Sequence, residues 1–501
     1  MSSNSDFTNF SRQSSKGIIV IYFGSLYKAL KISWIFLFIF IRKFSQLTSD
    51  KLLYIFFAII ALLIFLLFRA YFIYKNFQFK IEGGYFILQR GVLKKTNTTI
   101  PFDRIQNINF KQNLIQQLIN VYQVSIETAG SKKVEIAIKA LSYKDAQALK
   151  NQLTQSIGFK NESLTEDLIK KKPLLTISFK ELLKVSVTEN HLQSLLLLAA
   201  LVFSFFQQIE DILDGFGKKE ILSNYIANEF NSLLHNILIL TFLGIVLLIL
   251  AMISSFVRVL LFHFNLTVFV KERSLEINQG LLTKKSIILK KEKVQSITIS
   301  TNPIKKIIGI SFITFRQAVS GKVSQKKDKL IRIVGCKFDQ IYQIKELLFD
   351  CKSVEKSELY KPNSYYKIIM YIRSFIGLFL LNSIVYLVFQ DSYVLWLNTL
   401  FVPLILLLIR AKFNKAFYKF DKELLLIGNG RIETDLTYLS FFKVQNVKMR
   451  QTIFQERKKV IDLVLQTASG KVRIPCLELE RAVKLYNYIL FKTETSTKPW
   501  M

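Results

Sequence analysis

Few side chains in this sequence have the type and spacing that catalysis or metal binding requires. The histidines, His191, His235 and His263, are far apart and lack the i, i+4 spacing of helical metal ligands. A lone histidine at the end of an apolar run is more often an interfacial hydrogen-bonding residue. No CxxC pair occurs, and we expect Cys336 and Cys476 to be packed near strand ends.

The glycine-rich segments predict turns and not nucleotide or nucleophile sites. The sequence contains no Walker-type phosphate loop, no GxSxG and no GxGxxG. Gly83-Gly84 and Gly428-Asn429-Gly430 are typical of turns between strands. An enzyme of lipid metabolism would need an acid–base pair or a metal cluster, which we do not find. We therefore expect a non-enzymatic protein without a cofactor or a metal.

Basic residues are the remaining candidates for a binding function. Lysine and arginine close to a bilayer attract anionic lipid headgroups by about 1 kcal/mol per residue. The plainer interpretation is solvated surface on the positively charged side of a membrane protein. Nucleic-acid binding is not expected, because no RNP-type or helix-turn-helix pattern accompanies the charge. The candidate headgroup contacts are Lys94, Lys95, Lys284, Lys285, Lys305, Lys306 and Arg431.

A threefold internal repeat must position these residues. In each repeat a glycine precedes, by 15 residues, the glutamine of a basic–apolar–Gln triplet, and an alanine follows that glutamine by 23 residues. Fixed offsets at three places indicate a repeated architecture. We expect each glutamine to point away from the core and to make a structural hydrogen bond to a neighbouring loop. The signature residues are Gly91 with Gln106, Gly280 with Gln295, and Gly430 with Gln445.

Each repeat reads as strands followed by one helix. Gln78–Glu82 alternates between polar and apolar residues, as half-buried antiparallel strands do. At the end of the first repeat, Ala146, Leu149 and Leu153 share one face of a predicted helix. The predicted unit is a β-domain of about 85 residues that a C-terminal helix closes.

Long apolar runs separate the repeats. Leu52–Phe68 contains 17 residues without a charge and Asn231–Val257 contains 27, against the roughly 20 that a membrane-spanning helix needs. The first predicted span is the weakest, because Lys28 and Lys31 interrupt its run. The predicted spans form three pairs, 26–41 with 52–69, 193–209 with 233–258, and 372–389 with 393–410.

Charge and composition predict the orientation. The 501 residues are 51% hydrophobic with a net charge of +33, and the mean hydropathy is +0.30. A chain this apolar and this basic favours a membrane protein with cationic cytoplasmic parts. The segments after the pairs carry +7, +11 and +7, whereas the 210–230 loop carries −3. We therefore expect this loop outside, and the repeats and both termini inside.

The repeats resemble the bacterial pleckstrin-homology-like (PH-like) membrane proteins. Ile100–Gln106 reads IPFDRIQ and Glu127–Gly130 reads ETAG, as in that family's strand and turn. The third repeat keeps a related turn in Gln466–Gly470 (QTASG), while Ser440 and Lys290 replace the proline in repeats three and two. The resemblance implies an α+β membrane protein, in which a small split β-barrel with a C-terminal capping helix follows each pair of transmembrane helices.

The resulting domain plan has six parts. It comprises an N-terminal tail and first helix pair (1–73), a first PH-like domain (74–160), a linker and second pair (161–262), a second domain (263–352), a linker and third pair (353–410), and a third domain (411–495).

Two functions of different classes remain open. The first is a non-enzymatic scaffold of the bacterial cytoplasmic membrane, in envelope maintenance. Its domains would bind anionic lipid headgroups or a protein partner, such as a smaller PH-like membrane protein. The alternative is a transporter or export component that protects against membrane-active compounds.

Overall fold

Long helices and small antiparallel sheets alternate along the chain in the computed structural model. The structure describes residues 7–43, 49–92, 94–128, 136–156, 173–189, 191–215, 237–271, 274–317, 330–349, 352–389, 395–396 and 398–498. The α-helices in these ranges are Gly17–Lys43, Ser49–Lys75, Leu114–Leu118, Tyr143–Ser156, Phe179–Val187, His191–Gly215, Ile237–His263, Pro303–Ile308, Phe338–Leu348, Lys352–Lys356, Tyr365–Phe389, Asn398–Lys415, Ile453–Glu456 and Leu479–Glu494.

The strands fall into three groups that follow the repeats. The first group is β1 (Ser11–Arg12), β2 (Gln78–Glu82), β3 (Tyr85–Arg90), β4 (Thr96–Pro101), β5 (Ile105–Gln112), β6 (Tyr122–Thr128) and β7 (Ile136–Leu141). The second is β8 (Leu175–Thr176), β9 (Thr267–Lys271), β10 (Ser274–Gln279), β11 (Lys284–Lys290), β12 (Val294–Thr301), β13 (Ser311–Gln317) and β14 (Ile331–Cys336). The third is β15 (Phe417–Phe420), β16 (Leu424–Asn429), β17 (Thr434–Ser440), β18 (Val444–Arg450), β19 (Val460–Thr467) and β20 (Gly470–Glu478).

Three of the described helices are long and apolar enough to cross a membrane, namely Asp50–Lys75, Gly244–His263 and Tyr365–Leu387. A fourth apolar stretch, Gln193–Ile209, is shorter. The expected span 26–41 lies within the helix Gly17–Lys43, and the expected span 393–410 overlaps the helix Asn398–Lys415, which contains Pro403. Most of the acidic 210–230 loop lies outside the described residues.

The first repeat shows how the alternating sequence makes a core. Residues of β2, β3, β6 and β7 point inward at every second position, which buries Phe79, Phe86, Ile126 and Ile136 completely. The helix Tyr143–Ser156 adds Ala146, Leu149 and Leu153 to the same cluster. The apolar face expected for this helix is therefore part of the domain core.

Neighbouring repeats share sheets, which the sequence does not predict. Strand β5 of the first repeat pairs with β11 of the second, in a seven-stranded sheet of order β7-β6-β5-β11-β10-β9-β8. Strand β12 pairs with β17 of the third repeat, in a six-stranded sheet of order β14-β13-β12-β17-β16-β15. Leu426 and Tyr438 of the third repeat also join the core of the second.

The segment that precedes each helix pair covers one edge of the sheet that follows the pair. Strand β1 pairs with β2, and β8 pairs with β9. In the third repeat, Tyr360 and Tyr418 exchange backbone hydrogen bonds of 3.0 and 2.9 Å. Residues expected to be tail or linker thus complete the sheets.

Candidate membrane-facing site

The turn after the repeat glycine, here called the post-glycine turn, lies beside the end of a long helix in the second and third repeats. The amide of Gly280 donates to the carbonyl of Phe264 at 2.9 Å, just beyond the helix Ile237–His263. In the third repeat, Lys415 Nζ donates to the carbonyl of Ile432 at 2.6 Å. If the long helices enter a bilayer, these turns are at the membrane-proximal end of each domain.

Glycine is required at this turn for a steric reason. Gly280 has φ +109°, and a Cβ there would lie 2.1 Å from the carbonyl oxygen of Thr283. Gly91 and Gly430 have φ +124° and +130°, with the corresponding oxygens 1.9 Å away. The repeated glycine therefore sets the chain reversal that leads into β4, β11 or β17.

A short helix follows β5, β12 and β18 and lies at the same end of the domain. Gln117, in the short helix Leu114–Leu118, donates from Nε2 to the carbonyls of Leu281 and Leu282, at 3.1 Å each. Lys16, just before the first long helix, donates to the carbonyl of Ile119 at 3.0 Å. The short helix is thus in contact with a post-glycine turn and lies beside the start of a long helix.

Large apolar side chains are exposed both on the post-glycine turns and on the short helices. Leu118 and Ile307, in the first two short helices, are 87% and 86% exposed. Apolar residues that stand free of the core beside apolar helices are suited to the boundary between headgroups and acyl chains. The membrane-facing apolar set consists of Val92, Leu282 and Ile432 in the turns, with Leu118, Ile307 and Phe454 in the short helices.

Most of the candidate headgroup contacts are near this apolar set. Lys94, Lys95, Lys284, Lys306 and Arg431 are all exposed in the post-glycine turns, at the start of β11 or in the short helix. Exposed positive charges around apolar side chains form a surface that can meet anionic headgroups.

Lys285 differs from its neighbour Lys284 because it is partly buried. It faces Lys111 where β11 meets β5. Burial, and then the positive charge of Lys111, lower the pKa of Lys285 below its ordinary value.

Lys305 lies inside the protein, which removes it from the headgroup contacts. Its side chain is 2% exposed, its ammonium pairs with Glu433, and it lies 3.8 Å from the centroid of the Phe312 ring. The equivalent residues in the other repeats are Gln116 and Gln455, each 25 residues after its glycine and each buried. The glutamine at this offset is the sequence signal that would have identified a structural position.

The glutamine of the repeat signature lies at a β-bulge in every repeat. The pairing register shifts between Ile105 and Asn107, between Val294 and Ser296, and between Val444 and Asn446. Gln295 is fully buried at the junction with the third repeat, whereas Gln445 is exposed. The side chain of Gln106 is outside the described part of the structure. The common feature is therefore a backbone irregularity, since the side-chain environments differ.

A small basic pocket of 170 Å³ lies where the third domain meets its helix pair. Tyr366 and Lys412 line it from the helices, and Asn429 and Arg473 line it from the sheets. Arg473 also pairs with Asp462. The pocket offers hydrogen-bond donors to an anionic group at the expected membrane surface.

A larger cleft of 710 Å³ separates the second and third domains at the opposite end. Lys443 lies buried there, and its ammonium donates to the carbonyl of Glu292. Burial, and then the nearby charge of Lys293, lower the pKa of Lys443 to about 8. Asp421 and Glu423 also line the cleft, so its charge is mixed and it is a weaker candidate for an anion site.

Polar contacts join the long helices. His191 Nδ1 lies 3.1 Å from Ser255 Oγ, and Asn382 donates to Asn398 at 3.2 Å. Such contacts are typical of helix association in lipid. Within the described residues, no three His, Cys, Asp or Glu side chains are grouped so that they could hold a metal ion.

Comparison with known proteins agrees with the repeat. The Bacterial PH domain family model matches the chain at residues 34–157, 222–346 and 374–492. The UPF0699 transmembrane protein YdbT of Bacillus subtilis (strain 168) is 25% identical over 272 residues, which cover 51% of this chain and 52% of that relative. The match thus spans about half of the relative's length. The three family matches confirm the resemblance seen in the sequence.

Proposed function

The chain belongs to the bacterial PH domain family, and on that premise we propose that it is a non-enzymatic scaffold of the bacterial cytoplasmic membrane. Its three PH-like domains would form one array beneath the membrane and contact anionic headgroups, in a role in envelope maintenance. The observation that carries this proposal is the membrane-facing apolar set. It lies beside the ends of the long helices, together with exposed lysines.

The edge-covering segments support three pairs of transmembrane helices. Because Leu175 pairs with Val268, the residues before and after the second helix pair meet in one sheet. Strands β1 and β2 meet in the same way around the first pair, and Tyr360 meets Tyr418 around the third. Each intervening segment must therefore cross the membrane an even number of times or not at all. The net charges of +7, +11 and +7 favour the cytoplasmic side for the domains.

The closing helices support capped split barrels. The helix Leu479–Glu494 buries Ala482, Leu485 and Ile489 in the core of the third domain. The helix Phe338–Leu348 buries Ile341 and Ile344 in the second.

Membrane contact can be tested with the full-length chain in lipid nanodiscs. A fluorophore at Ile307→Cys should be quenched by nitroxide-headgroup lipids, because this side chain is among the most exposed at the membrane-proximal end. The matched control is Glu292→Cys, an exposed position between β11 and β12 at the opposite end. Both variants also carry Cys351→Ser. The remaining native cysteines, Cys336 and Cys476, are buried and should not react with the fluorophore.

We expect stronger quenching in discs with anionic lipid than in neutral discs. Added salt, or Lys284→Gln together with Lys306→Gln, should weaken the anionic component, because screening and charge removal reduce surface attraction. Equal quenching at Ile307→Cys and Glu292→Cys would contradict the proposed membrane surface. Solute flux in matching proteoliposomes would instead favour the transport alternative.

A further inference from the structure

The two junctions between repeats use one strand register. Gln112 at the end of β5 faces Lys284 at the start of β11. Thr301 at the end of β12 faces Thr434 at the start of β17. In both cases a residue 21 positions after its own repeat glycine faces the residue four positions after the next glycine. The junction is therefore a repeated interface.

The first and last repeats each leave one half of this interface open. Among the described strands, β4 pairs only with β3, and β18 pairs only with β19. Strand β4 is the counterpart of β11 and β17, while β18 is the counterpart of β5 and β12. Strand β4 in the first repeat and β18 in the last are therefore two sheet edges without a second partner among the described strands, and they are complementary to each other.

We propose that β18 of one molecule pairs with β4 of a second copy of this chain, in the register of the internal junctions. Gln451 of one copy then faces Lys95 of the other, and Lys448 faces Thr98. The inference goes beyond the scaffold proposal, because it names the partner and the surface.

The internal junctions support a second copy as the occupant. At the second internal junction, Lys305 of the short helix pairs with Glu433 of the next post-glycine turn. At the open ends the equivalent residues are Gln455 and Lys94, and the first internal junction likewise has a glutamine, Gln116, at the position of Lys305. The open ends are therefore complementary in backbone and register, and an internal junction without the Lys305–Glu433 pair already exists.

Basic side chains on the open edge do not exclude the pairing. Charged residues on edge strands often prevent unwanted association, and β18 carries Lys448 and Arg450. However, Lys285 faces Lys111 directly across the first internal junction. This interface therefore tolerates lysine in the paired state.

The proposed contact is heterologous, so it continues head to tail. Such interfaces close into rings or extend into filaments. A copy added at either edge brings its own long helices, which fits growth within one membrane.

Cysteine cross-linking in membranes tests the proposed register. Thr98→Cys and Lys448→Cys are placed on separately tagged chains that are expressed together. The internal pair Thr298→Cys with Thr437→Cys is the positive control, because it occupies the same register and its hydroxyl oxygens lie 3.1 Å apart. The negative control is Thr99→Cys with Lys448→Cys, because neighbouring residues of a strand point to opposite faces.

We expect a disulfide-linked dimer that carries both tags for Thr98→Cys with Lys448→Cys, at least tenfold above the Thr99→Cys control. Linkage by both combinations at equal yield would overturn the register. A wild-type protein that is extracted into lipid nanodiscs only as single copies would overturn the assembly, and this measurement does not depend on the folding of any variant. Absence of quenching at Ile307→Cys in nanodiscs would contradict the scaffold proposal but would not bear on the assembly.

Discussion

Lys305 shows how position within the repeat decides what a residue does. The adjacent lysines 305 and 306 look equivalent in the sequence, yet Lys305 is buried against Glu433 and Lys306 is exposed. Burial lowers the pKa of Lys305 below its ordinary value, although the ion pair with Glu433 acts in the opposite direction. A charge held in this way contributes to the junction between domains and is not available to the lipid.

Lys305→Gln should therefore destabilise the protein, whereas Lys306→Gln should not. Loss of the buried charged contact is expected to cost about 1–3 kcal/mol, against about 0.5 kcal/mol or less for an exposed substitution. The apparent Tm of both variants in one detergent measures the difference. Because sister repeats have glutamine here, Lys305→Gln should also be milder than Lys305→Ala. Equal Tm values for the variants at 305 and 306 would contradict a structural Lys305.

The sequence predicts individual residues well where the backbone dictates them. The spacing of Gly91, Gly280 and Gly430 identifies the turns, because only glycine fits that conformation. The lysine pair by itself does not distinguish Lys305 from Lys306, since the burial of Lys305 depends on Phe312 and on Glu433 of the next repeat. Only the glutamines at the same offset in the other repeats mark the position. Gln295 and Gln445 likewise share a bulge but differ in burial, because only β12 has a partner strand on that side among the described strands.

At the scale of the element, the post-glycine turn connects the long helix to the sheet. In the second repeat its backbone bonds to the helix end, and the short helix of the preceding repeat donates to its carbonyls. Period-two alternation was enough to predict strands such as β2, and apolar periodicity predicted the helix Tyr143–Ser156. Pairing of β5 with β11 could not be predicted, because it joins residues far apart that share no local pattern.

Gly280→Ala should disturb this turn strongly. The added Cβ would lie 2.1 Å from a backbone oxygen, so the backbone must shift. We expect a loss of about 1–3 kcal/mol of stability, which is typical of local backbone strain. The measurement is the apparent Tm, with faster amide exchange at the start of β11.

The control for this substitution is Gly83→Asn. Gly83 has φ +56° with open space around it, and asparagine tolerates that conformation. We expect only a small change in Tm there. A Gly280→Ala variant as stable as Gly83→Asn would mean that the turn can relax without cost.

In the whole molecule, the three domains form one structure because neighbouring domains share sheets. The middle domain contributes β11 to one junction and β12 to the other. Excised alone, it would expose two sheet edges that the intact chain pairs, which favours aggregation. Lipid-binding measurements therefore need the full chain.

Removal of the third repeat should loosen the second. In a chain that ends after Lys356, β12 loses β17 as its neighbour. Amides along β12 should exchange faster with solvent, while those of β10, which stays between β9 and β11, should not change. Hydrogen exchange followed by mass spectrometry compares the two chains. Unchanged exchange along β12 would contradict the shared sheet.

The edge-covering strands also set an order of events during synthesis. Leu175 and Thr176 leave the ribosome about 90 residues before their partners in β9, a delay of roughly 5 to 20 s at ordinary rates of translation. Throughout that interval the strand has nothing to pair with, and the intervening helices are being made. Synthesis of those helices is therefore complete before the sheet can close, and the closed sheet then holds both ends of the intervening segment together.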